Sequence, residues 1–268
     1  MTNILKDIVD KKVEEVLHRK ETIPIKELEK RNMDREAFSL RERLLTSNEI
    51  GIIAEFKRKS PSKGILNNSA TVEKTTTGYV EAGAIALSIL TDTDFFGGSL
   101  EDLAAARIHN DCPILRKDFI IDEYQIIESK SSSADVILLI AAILTPSNLK
   151  KLAAFAKQNG LEVLLEIHTK EELDHLNEFV DIVGVNNRNL NDFTVSIDRS
   201  LELYDLISDQ FIKISESGID SPQKLLLLKE KGFKGFLMGE RFMHNEYPER
   251  ACRDFIENVD SINKNSRN

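Results

Sequence analysis

The sequence predicts an α/β chain that closes into a (β/α)8 TIM barrel with an N-terminal helical extension. Eight short β-rich runs recur along the 268 residues, and amphipathic helical stretches separate them. Each strand-and-helix unit covers about 20 to 32 residues, and eight such units favour a closed barrel over an open doubly wound sheet. No GxGxxG or GxxxxGKS/T run is present to indicate a dinucleotide or P-loop fold.

Residues 1–46 precede the first predicted strand and form the extension. Their periodicity and capping signals predict about two helices, which we expect to lie across one end of the barrel. No low-complexity linker or shift in composition is visible, so residues 1–268 are predicted to form a single domain.

The predicted strands are short apolar runs, and the stretches between them carry helix signals. In chain order the strands are IIAEF near 52, AIALSIL near 84, PILRKDF near 113, DVILLI near 135, EVLLEI near 162, DIVGVN near 181, FIKIS near 211 and GFLMG near 235. TPSNLKKLAAFAKQNG and DSPQKLLLLKEKGFKG each place a proline just after an N-cap candidate and a glycine at the C-terminal stop.

Composition and charge exclude several classes of protein. Hydrophobic residues make up 41% of the chain and charged residues 30%, which is typical of a globular protein. The formal net charge of -9 argues against a nucleic-acid surface, which needs a basic face, although a local basic cluster can still bind a small anion. Cys112 and Cys252 are too few for a disulfide framework, so we expect inert packing residues in a reducing cytoplasm.

Neither an export signal nor a membrane segment is predicted, and we expect a cytoplasmic location. The amino terminus is charged throughout and lacks the apolar core of a signal peptide. The longest apolar run, VILLIAAIL at 136–144, falls far short of the about 20 residues that span a bilayer. No metal-ligand spacing is present in the sequence.

Polar side chains end the first and third predicted strands, at the carboxyl end of the barrel where active sites lie. Because side chains alternate along a strand, Glu55 and Lys57 share one face of the first strand. At the third strand Lys117 is expected to face the mouth of the barrel. Arg116 and Asp118 are expected to point outward and to form an ion pair with the helical layer.

The fifth and sixth predicted strands end in the same way. Glu166 and His168 share one face of the fifth strand, and Asn186 and Arg188 share one face of the sixth. A solvated strand end is the usual explanation for any single charged residue. Four strands that end in polar groups on one face indicate a site instead, in which no role is predicted for His168.

The last two predicted strands end in glycine turns. SESGI places Ser217 beside Gly218, and MGERF places Gly239 beside Glu240, where we expect each strand to turn into a short helix. Backbone N–H groups at these two turns form the usual phosphate site of such a barrel. A pair of ordinary strand turns is the alternative interpretation.

In these motifs the chain resembles the indole-3-glycerol phosphate synthase family, from about its first helix to its last. The matching blocks, in order, are IIAEFKRKSPSKG, LTDTDFFGGSLEDL, PILRKDFIIDEYQI, ADVILLIAAIL, VLLEIHTKEEL, VGVNNRNL, ISESGI and FLMGERFM. The resemblance implies ring closure, decarboxylation and dehydration of carboxyphenylamino-deoxyribulose phosphate to indoleglycerol phosphate, in tryptophan biosynthesis. It also implies that no cofactor or metal is needed.

The resemblance implies catalytic roles for several residues. Lys117 matches the general acid that protonates the ribulose carbonyl oxygen, which a lysine can do if burial and neighbouring charge lower its pKa toward working pH. Glu166 and Lys57 match the groups that expel water, and Glu55 orients Lys57 or shares a proton with it. Which lysine is the acid in which step stays open. The implied catalytic residues are Lys117, Glu166, Lys57, Glu55, Asn186 and Ser217, with Asn186 holding a substrate hydroxyl or the carboxylate.

Two binding regions are implied as well. The phosphate-binding residues are Ser60, Arg188, Gly218, Gly239 and Glu240. The apolar slot for the benzene ring is lined by Leu90, Phe96, Phe119, Leu138 and Leu190. Some relatives have a small hydroxyl residue in place of Glu240, whose carboxylate is expected to turn away from the phosphate because like charges repel. SPSKG at 60–64 is expected to be a mobile loop over the mouth, in which Lys63 reaches the ligand.

Two other functions are compatible with a barrel of this kind. A Schiff-base aldolase would use Lys117 or Lys57 as an amine nucleophile, but two acids beside two lysines favour proton transfer. A non-catalytic barrel would bind a sugar phosphate or serve as a partner subunit, but no feature of the sequence supports it. The predicted ligand is a small phosphorylated molecule, and the sequence indicates neither a protein partner nor an oligomeric state.

Overall fold

Eight parallel strands close into a barrel in the computed structural model, which describes residues 4–31, 34–189 and 192–265. The barrel strands are β1 (Ile52–Phe56), β2 (Ala86–Leu90), β3 (Ile114–Lys117), β4 (Val136–Ile140), β5 (Glu162–Ile167), β6 (Ile182–Asn186), β7 (Ile212–Glu216) and β8 (Gly235–Met238). β1 pairs with both β2 and β8, which closes the ring. The predicted (β/α)8 fold is confirmed.

The described part of the extension contains three helices. They are α1 (Ile4–Thr22), the single turn α2 (Ile25–Leu28) and α3 (Leu40–Thr46). α3 closes the amino end of the barrel, where Leu44 lies against Gly235, the first residue of β8. In contrast, α1 lies along the flank, where Val16 packs with Tyr124 and Ile127. The extension was expected to lie across one end of the barrel. This holds for α3, whereas α1 runs along the flank toward the mouth.

The remaining helices lie between the strands or follow the last one. They are α4 (Val72–Glu81), α5 (Thr93–Phe96), α6 (Leu100–His109), α7 (Glu123–Ser131), α8 (Pro146–Gln158), α9 (Asp198–Tyr204), α10 (Pro222–Lys231), α11 (Glu240–Met243) and α12 (Pro248–Asn265), with 3-10 turns at Ala141–Ile143 and Glu171–His175. The predicted caps of α8 and α10 are confirmed, because the Thr145 and Ser221 hydroxyls accept backbone N–H groups of the first turns.

Strand alternation sorts the apolar residues into two layers. Ile53, Leu115 and Leu164 belong to the cluster inside the barrel, whereas residues one position away pack against the helices. Arg116 points outward as predicted, and its Nη2 lies 2.9 Å from Asp118 Oδ2. The Arg116 Nη1 also donates to the Ser129 hydroxyl of α7 at 3.1 Å, which ties the strand to the helical layer.

Both cysteines lie buried in the outer layer. Burial raises the pKa of the Cys112 thiol to about 11 and that of the Cys252 thiol to about 12. Both thiols therefore stay protonated and act as packing groups. Across the described ranges, no helix combines the length and the apolar character needed to cross a membrane.

Candidate active site

The carboxyl ends of the strands surround a cavity of about 730 Å³. All of the predicted site residues that the structure describes line it. They are Glu55, Lys57, Ser60, Leu90, Phe96, Lys117, Phe119, Leu138, Glu166, Asn186, Arg188, Ser217, Gly218, Gly239 and Glu240. Leu190, the remaining predicted residue, lies outside the described residues.

Lys117 lies at the centre of the charged groups. Its Nζ is 3.1 Å from Glu166 Oε2 and forms a second, shorter ion pair with Glu216. Lys57 Nζ lies 2.7 Å from Glu55 Oε1, so the second lysine has its own carboxylate. All three carboxylates are buried. The cavity thus contains a buried cluster of acids and bases within hydrogen-bonding distance of one another.

Glu216 is a site residue that the sequence analysis missed. The predicted seventh strand ended at Ser215, whereas β7 continues to Glu216. Alternation along this strand carries the signal, because Ile212 and Ile214 lie inside the barrel and Glu216 is the next residue on that face. The inward-facing positions of this strand therefore predict Glu216 as soon as the strand is extended by one residue.

Two glycines make room for the buried carboxylates. A Cβ on Gly184 would lie 2.1 Å from Glu216 Oε1, and a Cβ on Gly239 would lie 2.6 Å from Glu55 Oε1. Any side chain at either position would push the carboxylate out of place. These glycines therefore fix where the acids lie.

The ammonium group of Lys117 is held in its charged form. Burial favours the neutral amine, but Glu216, Glu166 and Glu55 outweigh it and raise the pKa of Lys117. The lowered pKa considered from the sequence is therefore wrong, because three carboxylates surround the amine. A protonated Lys117 is a hydrogen-bond donor and not a nucleophile, which disfavours the Schiff-base aldolase.

The two acids beside Lys117 differ in their protonation. Burial opposes ionisation of Glu166, but Lys117, His168 and the Asn186 amide lower its pKa. Burial and the nearby carboxylates of Glu166 and Glu55 raise the pKa of Glu216 to about 7, although Lys117 acts in the opposite direction. Such separation of two carboxyl pKa values is typical of acid–base sites.

A turn with unusual backbone geometry follows β7. Ser217 and Gly218 both have positive φ, 66° and 73°, and the Asn187 side chain donates to the Ser217 carbonyl at 3.0 Å. The short helix expected here is absent, since α10 begins only at Pro222. At β8 the expectation is confirmed, because α11 begins at Glu240 directly after the strand.

Glu240 does not turn away from the predicted phosphate region. Its Oε2 accepts from Arg188 Nη2 at 2.8 Å, since a guanidinium and a carboxylate on facing turns form a strong pair. The expected orientation of Glu240 is therefore wrong. Arg188 Nη1 also lies 3.4 Å from the hydroxyl of Ser62, which belongs to the segment after β1.

The segment after β1 is a hairpin. Lys59–Ser60 pairs with Gly64–Ile65, and the residues between them line the cavity, including Lys63. Arg58 anchors this hairpin through an ion pair with Asp102 of α6. The predicted position of SPSKG over the mouth is confirmed, and its mobility stays a prediction.

Apolar side chains form the other wall of the cavity. The Phe96 and Phe119 rings lie 6.0 Å apart between centroids, next to Leu90 and Leu138. Ile4, Leu5, Ile8 and Ile140 also line the cavity and were not predicted. The first three belong to α1. No local sequence signal indicates that this helix approaches the mouth of the barrel.

Among the described residues, no group of three or more His, Cys, Asp or Glu side chains has a geometry that could hold a metal ion. The acids of the cavity instead pair with lysine and arginine. The arrangement can donate and accept protons and can bind an anion next to an apolar wall.

Comparison with known proteins gives one family. The family model described as indole-3-glycerol phosphate synthase matches residues 5–255. The chain is 45% identical to the indole-3-glycerol phosphate synthase of Bacteroides thetaiotaomicron, over 97% of this chain and 100% of that protein. It is 40% identical to the Salinibacter ruber protein of the same name, over 93% of each chain.

Solved structures support the fold alone. The tryptophan synthase subunit alpha of Legionella pneumophila str. Paris superposes with a TM-score of 0.62 and covers 84% of this chain and 97% of its own length. The two sequences are only 12% identical. This likeness shows a shared barrel architecture.

Proposed function

The chain belongs to the indole-3-glycerol phosphate synthase family, and on that premise we propose that Lys117, Glu166 and Glu216 form its acid–base centre. Members of this family catalyse the decarboxylative ring closure that makes indole-3-glycerol phosphate. The observation that carries the proposal is the position of the Lys117 ammonium between two buried carboxylates in the cavity.

In the first step Lys117 acts as the proton donor. The aromatic carbon that bears the carboxylate attacks the ribulose carbonyl, and Lys117 supports the oxygen as negative charge develops there. Glu216, whose pKa is raised to about 7, is able to replace the proton on Lys117. Loss of carbon dioxide then restores the aromatic ring.

In the second step the new hydroxyl leaves as water. Glu166, which is ionised because its pKa is lowered, removes a proton from the ring-closed intermediate. Lys57 follows β1, which lies opposite β5 in the barrel, and its ion pair with Glu55 keeps it oriented as donor to the departing hydroxyl. This assignment gives Lys117 to ring closure and Lys57 to dehydration.

The remaining residues hold the substrate. Backbone N–H groups at Gly218 and Gly239, with Ser60 and Arg188, bind the phosphate. The apolar wall at Phe96 and Phe119 takes the benzene ring. Asn186 and Ser217 also line the cavity, and they bind substrate hydroxyls or the carboxylate.

The proposal extends to the setting of the enzyme. The chain acts as a single domain on a small phosphorylated molecule, without nucleic acid or membrane as partner. A cytoplasmic location suits its two buried, protonated thiols.

Turnover of carboxyphenylamino-deoxyribulose phosphate by the purified protein tests this proposal. We expect indole fluorescence to appear with the wild-type protein, and a loss of about 100-fold or more in kcat for Glu166→Gln, because the amide cannot accept the proton. The substitution keeps the shape of the side chain, so unfolding is not the expected cause.

Glu162→Gln is the matched control, since it makes the same change at the amino end of the same strand, where Glu162 accepts from the Arg41 backbone at 2.9 Å. Its kcat should stay within about threefold of wild type. An active wild-type protein whose Glu166→Gln variant keeps full activity would contradict the assignment of Glu166.

A further inference from the structure

Glu166 has a neighbour that does not line the cavity. His168, two residues further along the chain, is buried, and its Nε2 lies 3.3 Å from Glu166 Oε1. Its Nδ1 lies 3.4 Å from Glu172 Oε2. The imidazole therefore stands between two carboxylates, on the side of Glu166 that faces away from Lys117.

Glu172 fixes the position of this ring. The same Oε2 that lies beside Nδ1 also accepts the backbone N–H of His168 at 2.5 Å. Glu172 belongs to the 3-10 turn Glu171–His175, which is itself anchored because His175 Nε2 lies 2.8 Å from the Leu144 carbonyl oxygen. Glu172 thus accepts the backbone N–H of His168 and places a negative charge beside Nδ1, while Nε2 lies on the side of Glu166.

We propose that His168, held by Glu172, is a positioning residue that orients the Glu166 carboxylate and keeps it ionised for the reaction. The inference rests on the proposed function, because it assigns a supporting group to Glu166. Glu166 Oε2 lies 3.1 Å from Lys117 Nζ and Oε1 lies 3.3 Å from His168 Nε2, so each oxygen faces its own basic group. The contact with His168 is an ion pair without hydrogen-bond geometry, and a positive charge beside each oxygen favours this one orientation of the carboxylate.

The shared use of Lys117 supports the same conclusion. Its ammonium group pairs with both Glu166 and Glu216, so Glu166 does not have a cation of its own on β3. A second positive charge beside Glu166 reduces the cost of keeping this buried acid ionised, because unpaired buried charges are strongly unfavourable.

The groups that face His168 favour its cationic form. Glu166 on β5 and Glu172 on the 3-10 turn lie against the ring, and Lys117 on β3 lies beyond Glu166. Burial lowers the pKa of His168, but the two carboxylates outweigh it and raise the pKa to about 9. The imidazolium is therefore present below that pH and is lost as the pH rises through it.

The pH dependence of kcat in three proteins tests the proposal. In the wild type we expect activity to fall near pH 9, as His168 loses its proton. In Glu172→Gln this alkaline limb moves down by about one pH unit, because one carboxylate is lost. In His168→Gln that limb disappears, the acid limb moves up, and kcat falls about tenfold with little change in KM.

Glu171→Gln is the matched control. It removes a carboxylate from the same 3-10 turn at an exposed position, and it leaves Glu172 and the His175 anchor in place. Its pH profile should match that of the wild type. If Glu171→Gln reproduces the shift of Glu172→Gln, the effect is a general loss of charge near the site and the inference is overturned.

Imidazole NMR titration gives a readout that needs neither turnover nor a folded His168 variant. We expect the His168 signal to titrate well above the usual histidine value of about 6.5 in wild type, and at least about one unit lower in Glu166→Gln. Equal midpoints near 6.5, or an active His168→Gln enzyme with an unchanged pH profile, would overturn the inference and leave the proposed function standing. Absence of wild-type turnover would contradict the proposed function instead, while the NMR midpoints still decide whether His168 is a cation beside Glu166.

Discussion

Glu216 shows how burial can make one carboxyl group an acid that exchanges its proton near neutral pH. Its Oε1 is buried without a hydrogen-bond partner in the described chain, while its Oε2 contacts Lys117. An unpartnered buried carboxylate oxygen is unfavourable unless it carries a proton. The raised pKa of about 7 agrees with this geometry, so Glu216 can give a proton to Lys117 near the pH of the cell.

Glu240 places a carboxylate in the region proposed to bind the phosphate. Its Oε2 lies 2.8 Å from Arg188 Nη2 and so competes with a phosphate for the guanidinium. We expect Glu240→Gln to lower KM about fivefold, because a neutral amide competes less with phosphate for the guanidinium. Steady-state kinetics and inhibition by inorganic phosphate measure the effect.

Glu246→Gln makes the same change of charge beyond the end of α11, at an exposed position outside the cavity lining. Its KM should equal that of the wild type at moderate ionic strength, since exposed distant charges are screened. An equal shift in both variants would show a general charge effect and would contradict the specific role of Glu240.

At the scale of elements, β5 and β7 show why a strand is a good scaffold for a reactive group. Both strands bury apolar side chains inside the barrel and then present an acid on the same face at the last inward position. Two-residue spacing predicted Glu166 on β5. The same spacing places Glu216 on the inward face of β7, one residue beyond the predicted strand FIKIS. A strand boundary is the feature that sequence patterns locate least well.

Helix α1 is bound to the barrel by a buried lysine that sequence patterns did not reveal. Lys12 is only 1% exposed, and its Nζ lies 3.0 Å from Asp118 and 3.1 Å from Asp92. We expect Lys12→Met to reduce the free energy of unfolding by about 3 kcal/mol, because Asp92 and Asp118 both lose a buried cation and Asp118 keeps only Arg116. Urea unfolding measures this loss.

The pH dependence of that loss has a defined sign. Burial opposes ionisation of Asp118, but Arg116 and Lys12 outweigh it and lower its pKa. A lowered carboxyl pKa gives stability that is complete above the unfolded value of about 4 and is lost as the pH falls further. The difference between wild type and Lys12→Met should therefore shrink at acid pH.

Lys20→Met is the control on the same helix. Lys20 forms its ion pair with Asp122 at 2.7 Å, but both side chains are more than a third exposed. Its loss should cost less than about 1 kcal/mol. Equal destabilisation by the two variants would mean that helix packing, and not the buried pair, is what Lys12 provides.

At the scale of the whole molecule, the site exists because a barrel gathers the ends of separate strands. Residues as distant in the chain as Glu55 and Glu240 line one cavity, because parallel strands end on one side. Strand spacing and side-chain alternation were therefore enough to predict the polar residues at the strand ends, such as Lys117 and Glu166, whereas the apolar slot at Phe96 was expected only from the family resemblance. The approach of α1 to the mouth depends on packing between segments that are distant in the chain. The periodicity of a single segment carries no information about such packing.

Charge is distributed unevenly over the molecule. The chain carries a formal net charge of -9, whereas the cavity lining in the described part of the chain holds six bases and six acids. A lining that is less acidic than the molecule as a whole makes it easier for an anionic substrate to enter. This contrast fits a phosphorylated, carboxylated substrate better than a nucleic acid.

Release of labelled carbon dioxide tests the central claim, that ring closure and decarboxylation depend on the ammonium of Lys117. The substrate is carboxyphenylamino-deoxyribulose phosphate with ¹³C in its carboxylate, and Lys117→Met is compared with the wild-type protein. The account predicts equimolar ¹³CO₂ and indole product from the wild type, and rates lower by about 100-fold or more in a folded Lys117→Met variant. Indole product without ¹³CO₂, or an undiminished rate in Lys117→Met, would contradict it.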